Sequence, residues 1–200
     1  MPQAHNAATK HSTSTRPHID TPQLRRINGL PTIHRAIPEQ VRLRAADLHT
    51  GEGVIATANF ESGDTVMIGF LIGLLTENDS HATQVTATQW ARHGGLGTKV
   101  NHSCNPNCGV RLNTQHAYDF IARTPIAAGD EITFDYAMRN YTIEHFPGSC
   151  RCEEATCRHT ITGWRDLSTE QKRAYRGFVA PYLIAMDRAA AKDEVREARN

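Results

Sequence analysis

The sequence predicts a mainly β domain closed by helices at its C-terminal end. Three observations predict it. Short apolar runs between Gly, Asn, Asp and Pro turns fill residues 41–136, some alternating with polar residues at the period of a half-buried strand. From Ser168 the pattern changes to capping-box spacing with Gln171, then to an alanine-rich run with interspersed charges. Between these regions lie three cysteines spaced C-x-C-x4-C, Cys150, Cys152 and Cys157, which cannot all bridge one another.

The bulk numbers bound the rest. A chain of 200 residues with 39% hydrophobic content suits one domain with tails. Lys plus Arg number 22 and Asp plus Glu 21, so the net charge of +1 gives no strong pull toward nucleic acid or a membrane surface. No apolar run approaches the length of a membrane span. The start lacks the apolar core of a signal peptide, and Arg25-Arg26 precedes a stretch too short and polar for a twin-arginine signal. A cytoplasmic protein with reduced thiols is expected, and there clustered cysteines favour metal over disulfides.

In chain order, residues 1–28 are rich in His, Thr, Ser, Pro, Gln and Asn and read as a disordered tail. His5, His11 and His18 are too loosely spaced for a metal tract. Val41, Leu43 and Ala45 alternate with Arg42 and Arg44, and Val54-Ile55-Ala56 follows, so Gly51-Glu52-Gly53 reads as a hairpin turn. Glu61-Ser62-Gly63-Asp64 is a turn, and Thr65 to Leu75 reads as strand, bend and strand. Residues 76–99 show no period and read as a loop, with Trp90 a core or surface aromatic rather than a substrate contact. Val110–Leu112 and Tyr118–Ala122 are strands around Asn113-Thr114, and Pro125 to Glu131 turns into the strand Ile132–Tyr136. A helix runs from Ser168 to about Val179, and Pro181 separates it from a second over Tyr182–Ala198.

The organising stretch is Asn101-His102-Ser103-Cys104-Asn105-Pro106-Asn107-Cys108. Tetrahedral zinc needs four ligands, and the downstream cluster supplies three. Cys104 or Cys108 is the only cysteine choice for the fourth. A zinc ion would then tie mid-chain to the C-terminal third.

Asn101–Asn107, Gly129-Asp130-Glu131-Ile132-Thr133-Phe134-Asp135-Tyr136 and the Cys150 cluster stand in the order and spacing of a known family. Over roughly residues 40–165 the chain resembles a SET domain with a post-SET zinc cap, similar to the small bacterial members. The resemblance implies a β-clip fold of several short sheets with a pseudoknot. It divides the chain into a tail (1–28), a SET domain (29–146), a post-SET segment (147–165) and a helical extension (166–200). It implies an S-adenosylmethionine-dependent methyltransferase acting on a protein lysine. By that resemblance Gly51, Glu52 and Gly53 hold the methionine end of the cofactor. Asn101 and His102 hold its adenine and amino-acid ends, and Arg151 lies against the adenine. Tyr136 is the main catalytic residue, and Phe134 leaves room for di- and trimethylated products. Cys104 joins Cys150, Cys152 and Cys157 on a structural Zn2+, leaving Cys108 as an inert thiol.

The chemistry asks little of metals or nucleophilic side chains. The amine must be neutral, which costs about 3 kcal/mol at pH 8 for a free lysine of pKa near 10.4. Burial removes much of that cost, and the rest is positioning. One departure stands out. Many relatives place a Tyr before a Gly to line the lysine channel, whereas this chain has Gly69, Phe70 and Gly73. Trp164 reads equally as an aromatic over that channel or as helix packing. Two further readings remain open: the same chemistry on a small amine or carrier-bound amino acid, and a non-catalytic zinc-stabilised binding module.

Overall fold

The computed structural model describes residues 40–47, 51–79, 82–144 and 149–197. The expected tail therefore lies outside the described residues. Among the described residues ten strands come in chain order: β1 (Val41–Asp47), β2 (Gly51–Ala56), β3 (Thr65–Met67), β4 (Leu71–Leu75), β5 (Thr83–Thr86), β6 (Gln89–His93), β7 (Asn101–His102), β8 (Cys108–Leu112), β9 (Tyr118–Ala122) and β10 (Glu131–Phe134). Two α-helices follow among the described residues, α1 (Thr169–Ala174) and α2 (Pro181–Glu197). The mainly β fold with C-terminal helices is as the sequence predicts.

The larger sheet runs β1-β2-β10-β8-β9-β3, with β7 also on β10. Its alternation decides what is buried. In β10, Ile132 and Phe134 point into the core while Glu131 and Thr133 face the other way. Val54, Val66, Val110, Phe120 and Ile132 fill the same core, and the rings of Phe120 and Phe134 meet edge-on at 5.2 Å.

Three expectations need correcting. Gly51-Glu52-Gly53 is not a turn but the start of β2, where Gly53 pairs with Arg44. Residues 76–99 are not a plain loop. β5 and β6 form a hairpin there, and β6 pairs with β4 to complete a second sheet, β4-β6-β5. The polar residues hid it: buried Gln84 donates to the Ala87 carbonyl and accepts from the Tyr141 amide, so both polar atoms of a buried side chain have a partner. Tyr136 is not a strand residue. The chain leaves β10 into a 3-10 turn, Tyr136–Met138, capped by Asp135 accepting from the Ala137 amide at 3.0 Å.

At the C-terminal end the Ser168–Gln171 capping box is formed in both directions. α1 stops at Ala174, short of Val179, with Gly177 in the left-handed region at φ +86° soon after. Pro181 does not merely interrupt: it occupies the first turn of α2, where its missing N–H costs nothing. Trp164 is buried and donates from Nε1 to Asp187 at 2.8 Å, so it packs beneath α2. No described helix is long and apolar enough to cross a membrane.

Candidate functional site

The site grows around β10, which is flanked by strands distant in sequence. On one side Ile132 pairs with Val54 of β2. On the other, Thr133 and Phe134 run parallel to Asn101 and His102, and Phe134 also faces Cys108. Asn107 serves as a substitute strand neighbour: its amide donates to the Glu131 carbonyl at 2.8 Å and accepts from the Thr133 N–H at 2.9 Å. Asp135 and Tyr136 therefore emerge directly beside His102.

The candidate cofactor residues are tied together. Asn101 Nδ2 donates to the Glu52 carbonyl at 3.0 Å and to Glu131 Oε1 at 2.7 Å. Glu131 also pairs with Arg44 at 3.3 Å. A Cβ on Gly53 would press on the ends of the Glu131 and Arg44 side chains, so glycine leaves this ion pair its room; Gly51, at φ +72°, needs glycine for its backbone instead. Asn101, His102 and Arg151 share a pocket of about 580 Å³, the size of a small-molecule site. Asp130, Glu131, Glu153 and Glu154 also line it, and among the described residues Arg151 is its one lysine or arginine. Carboxylates thus outnumber cations around a space suited to a cationic ligand.

Tyr136 and Phe134 lie beside this pocket, not on its lining. The Tyr136 ring meets His102 edge-on at 5.2 Å and Phe134 at 5.0 Å. Its hydroxyl donates to the Val100 carbonyl at 3.3 Å, which fixes the position of the phenol oxygen. Burial pushes the phenol pKa up, with the Arg139 charge pulling the other way, so the proton stays on at neutral pH.

The structure brings Cys104, Cys150, Cys152 and Cys157 together, with all four sulfurs within 4.8 Å of one another. Cys104 and Cys150 Sγ are 3.8 Å apart. Tetrahedral zinc, with Zn–S bonds of about 2.3 Å, sets its sulfurs about 3.8 Å apart, so the four thiols suit that ion. Burial pushes Cys104 up to about 11, while hydrogen bonds outweigh burial at Cys152 and bring it down to about 7. Cys108 is outside the group: it faces the core from β8, fully buried, and burial pushes it up to about 12. Backbone N–H groups of Arg158 and His159 point at Cys104 and Cys157 sulfur, as suits thiolates.

Three residues that sequence reasoning missed lock this cluster to Tyr136. Asp135 is fully buried and takes a two-pronged bond from Arg158, at 2.6 and 3.0 Å. Tyr175, from just beyond α1, donates to the same carboxylate at 2.9 Å. Arg158 directly follows Cys157, so the cysteine segment, the helical end and the 3-10 turn of Tyr136 meet on one side chain. A contrasting group sits behind Phe134. His93 is buried and stacks on Tyr118 at 5.9 Å, and the Arg139 guanidinium lies 5.0 Å from the Phe134 ring centre. Both His93 nitrogens, the Tyr118 hydroxyl, and Arg139 Nε and Nη1 are buried without a hydrogen-bond partner among the described residues.

Comparison with known proteins meets this geometry. The SET domain family model matches residues 51–137. A histone-lysine N-methyltransferase, H3 lysine-36 specific, of Cryptococcus neoformans is 36% identical over 75 residues, covering 36% of this chain and 9% of the relative. The Candida albicans protein of the same description is 36% identical over 87 residues, 42% of this chain and 9% of the relative. Histone-lysine N-methyltransferase Set2 of Drosophila melanogaster is 37% identical over 76 residues, 36% of this chain and 3% of the relative. The chain thus spans less than a tenth of the length of these relatives. By its strands, its Asn101–Cys108 loop and its matched sequence, the stretch from residue 51 to residue 137 is a SET domain.

Proposed function

We propose that this chain is an S-adenosylmethionine-dependent N-methyltransferase that acts on a lysine side chain of a protein. The observation that carries it is Tyr136. Its hydroxyl is fixed on the Val100 carbonyl, beside the Asn101–His102 strand that reaches Glu52. When bound, the donor supplies an electrophilic methyl group on a cationic sulfur. Asn101, His102 and Arg151 would hold it in the acidic pocket, with Gly51, Glu52 and Gly53 behind Asn101. Tyr136 would direct its oxygen lone pairs at the amine and the methyl carbon, and Phe134 would form an apolar wall that tolerates a methylated amine.

In this reading residues 29–146 are the catalytic unit, 147–165 a post-SET cap and 166–200 a helical support. A structural zinc on Cys104, Cys150, Cys152 and Cys157 would organise the cap, with four thiolates leaving no open position. The clustered free thiols suit a reducing, cytoplasmic compartment.

Incubation of the full chain with tritiated S-adenosylmethionine and cell lysate tests this. Label is expected in protein bands, and Tyr136→Phe is expected to lower its incorporation about 100-fold or more. Label only in small molecules would move the substrate to a small amine. Calorimetry showing no binding of the donor would leave a binding module.

A further inference from the structure

The His102 ring is enclosed, with its side chain 3% exposed, and both nitrogens are engaged. The Tyr136 backbone N–H donates to Nδ1 at 3.3 Å. An acceptor nitrogen carries no proton, so the neutral ring holds its proton on Nε2. Nε2 lies 3.4 Å from Cys104 Sγ, within reach of an N–H···S bond. Asp135 Oδ1 stands 3.6 Å from Nδ1, beyond hydrogen-bond length, so it does not compete for that nitrogen. One imidazole therefore spans the cysteine cluster and the backbone of the tyrosine. With its side chain this enclosed, the ring offers the neighbouring pocket little surface.

We propose that His102 is a positioning residue that joins the metal site to Tyr136: Nε2–H donates to the Cys104 sulfur while Nδ1 holds the Tyr136 amide. Its effect on catalysis rests on the methyltransferase reading; its effect on metal affinity does not. An outer hydrogen bond of this kind fixes a ligand's orientation and offsets the negative charge on a thiolate. The same ring sets where the 3-10 turn begins, and so where the phenol points. Loss of the metal would free Cys104 and loosen the hold on Tyr136 without altering any residue of the turn.

Two substitutions separate the two bonds. The Asn side chain ends near the Nδ1 position, and the longer Gln places an amide N–H near Nε2. His102→Asn keeps an acceptor for Tyr136 and loses the donor to sulfur. His102→Gln does the reverse. Zinc affinity, measured by competition with a chromogenic chelator, is expected to fall about 10-fold or more in His102→Asn and to stay near the parent value in His102→Gln. The Tyr136 amide resonance is expected to keep its position in zinc-loaded His102→Asn and to move in His102→Gln, with the larger loss of kcat in the latter. Equal changes in both variants, or an unchanged zinc affinity in His102→Asn, would overturn the proposal. Should a variant not fold, hydrogen exchange of the Tyr136 amide in the parent decides. Protection lost on zinc removal supports the link, and equal protection with and without zinc refutes it. Failure of methyl transfer in the parent would sink the functional reading and leave the zinc and amide results standing.

Discussion

Two buried polar groups lie close to the end of β10, one around Asp135 and one around His93, and they are built differently. Around Asp135 each carboxylate oxygen is answered, by Arg158, Tyr175 and the Ala137 amide. Around His93 five buried polar atoms of three residues have no described hydrogen-bond partner. A buried carboxylate with both oxygens paired specifies one arrangement and fails badly when a partner is removed, even though Arg158 Nε has no described partner of its own. An unsatisfied group already bears its desolvation cost, so removing its polar atoms should lose little. The first group holds elements in place; the second is where the fold tolerates change.

Substitution can break this contrast. The largest effect is expected from Arg158→Met, which leaves a fully buried carboxylate without its cation. Urea denaturation should show a loss of about 3–5 kcal/mol. Tyr175→Phe removes one hydrogen bond to the same carboxylate and keeps the ring under Arg123, whose guanidinium lies 4.9 Å from its centre. A loss of about 1.5–3 kcal/mol is expected from the same measurement. His93→Phe should change stability least at pH 7.5, because it keeps a ring against Tyr118 and removes only unpartnered nitrogens.

Acid sharpens the third case. Burial, helped by the Arg139 charge, lowers the His93 pKa from 6.5 to about 3. The unfolded chain therefore binds a proton that the folded one refuses between those values. The stability tied to this group is whole above pH 6.5 and declines as pH falls toward 3, by about 1.4 kcal/mol per pH unit at the steepest. His93→Phe should flatten that decline by one proton. An unchanged slope between pH 6.5 and 4 would show that His93 already takes up a proton in the fold.

Much of this was legible in residues close together in sequence. The C-x-C-x4-C spacing told of a shared centre because local geometry limits where such thiols point. Gly53 was visible as a glycine, but the reason for it, the Arg44–Glu131 pair, joins residues 87 apart. The choice between Cys104 and Cys108 was settled by strand direction, which sends Cys108 inward against Phe134. Asp135 was quoted within a motif without a role, since its partners come from a cysteine loop and a helical segment that no local pattern connects to it. The β5–β6 hairpin escaped because its buried positions include Thr83 and Gln84, which break the apolar alternation that marks a strand.

The placement of β10 carries a consequence for how the protein is made. β2 and β8 leave the ribosome first, and each must wait with an open hydrogen-bonding edge until residues 131–134 arrive to lie between them. The last thiol, Cys157, comes later still. During synthesis the nascent chain therefore holds exposed strand edges for an extended stretch of translation, the condition under which strands join the wrong neighbours and chaperones matter most.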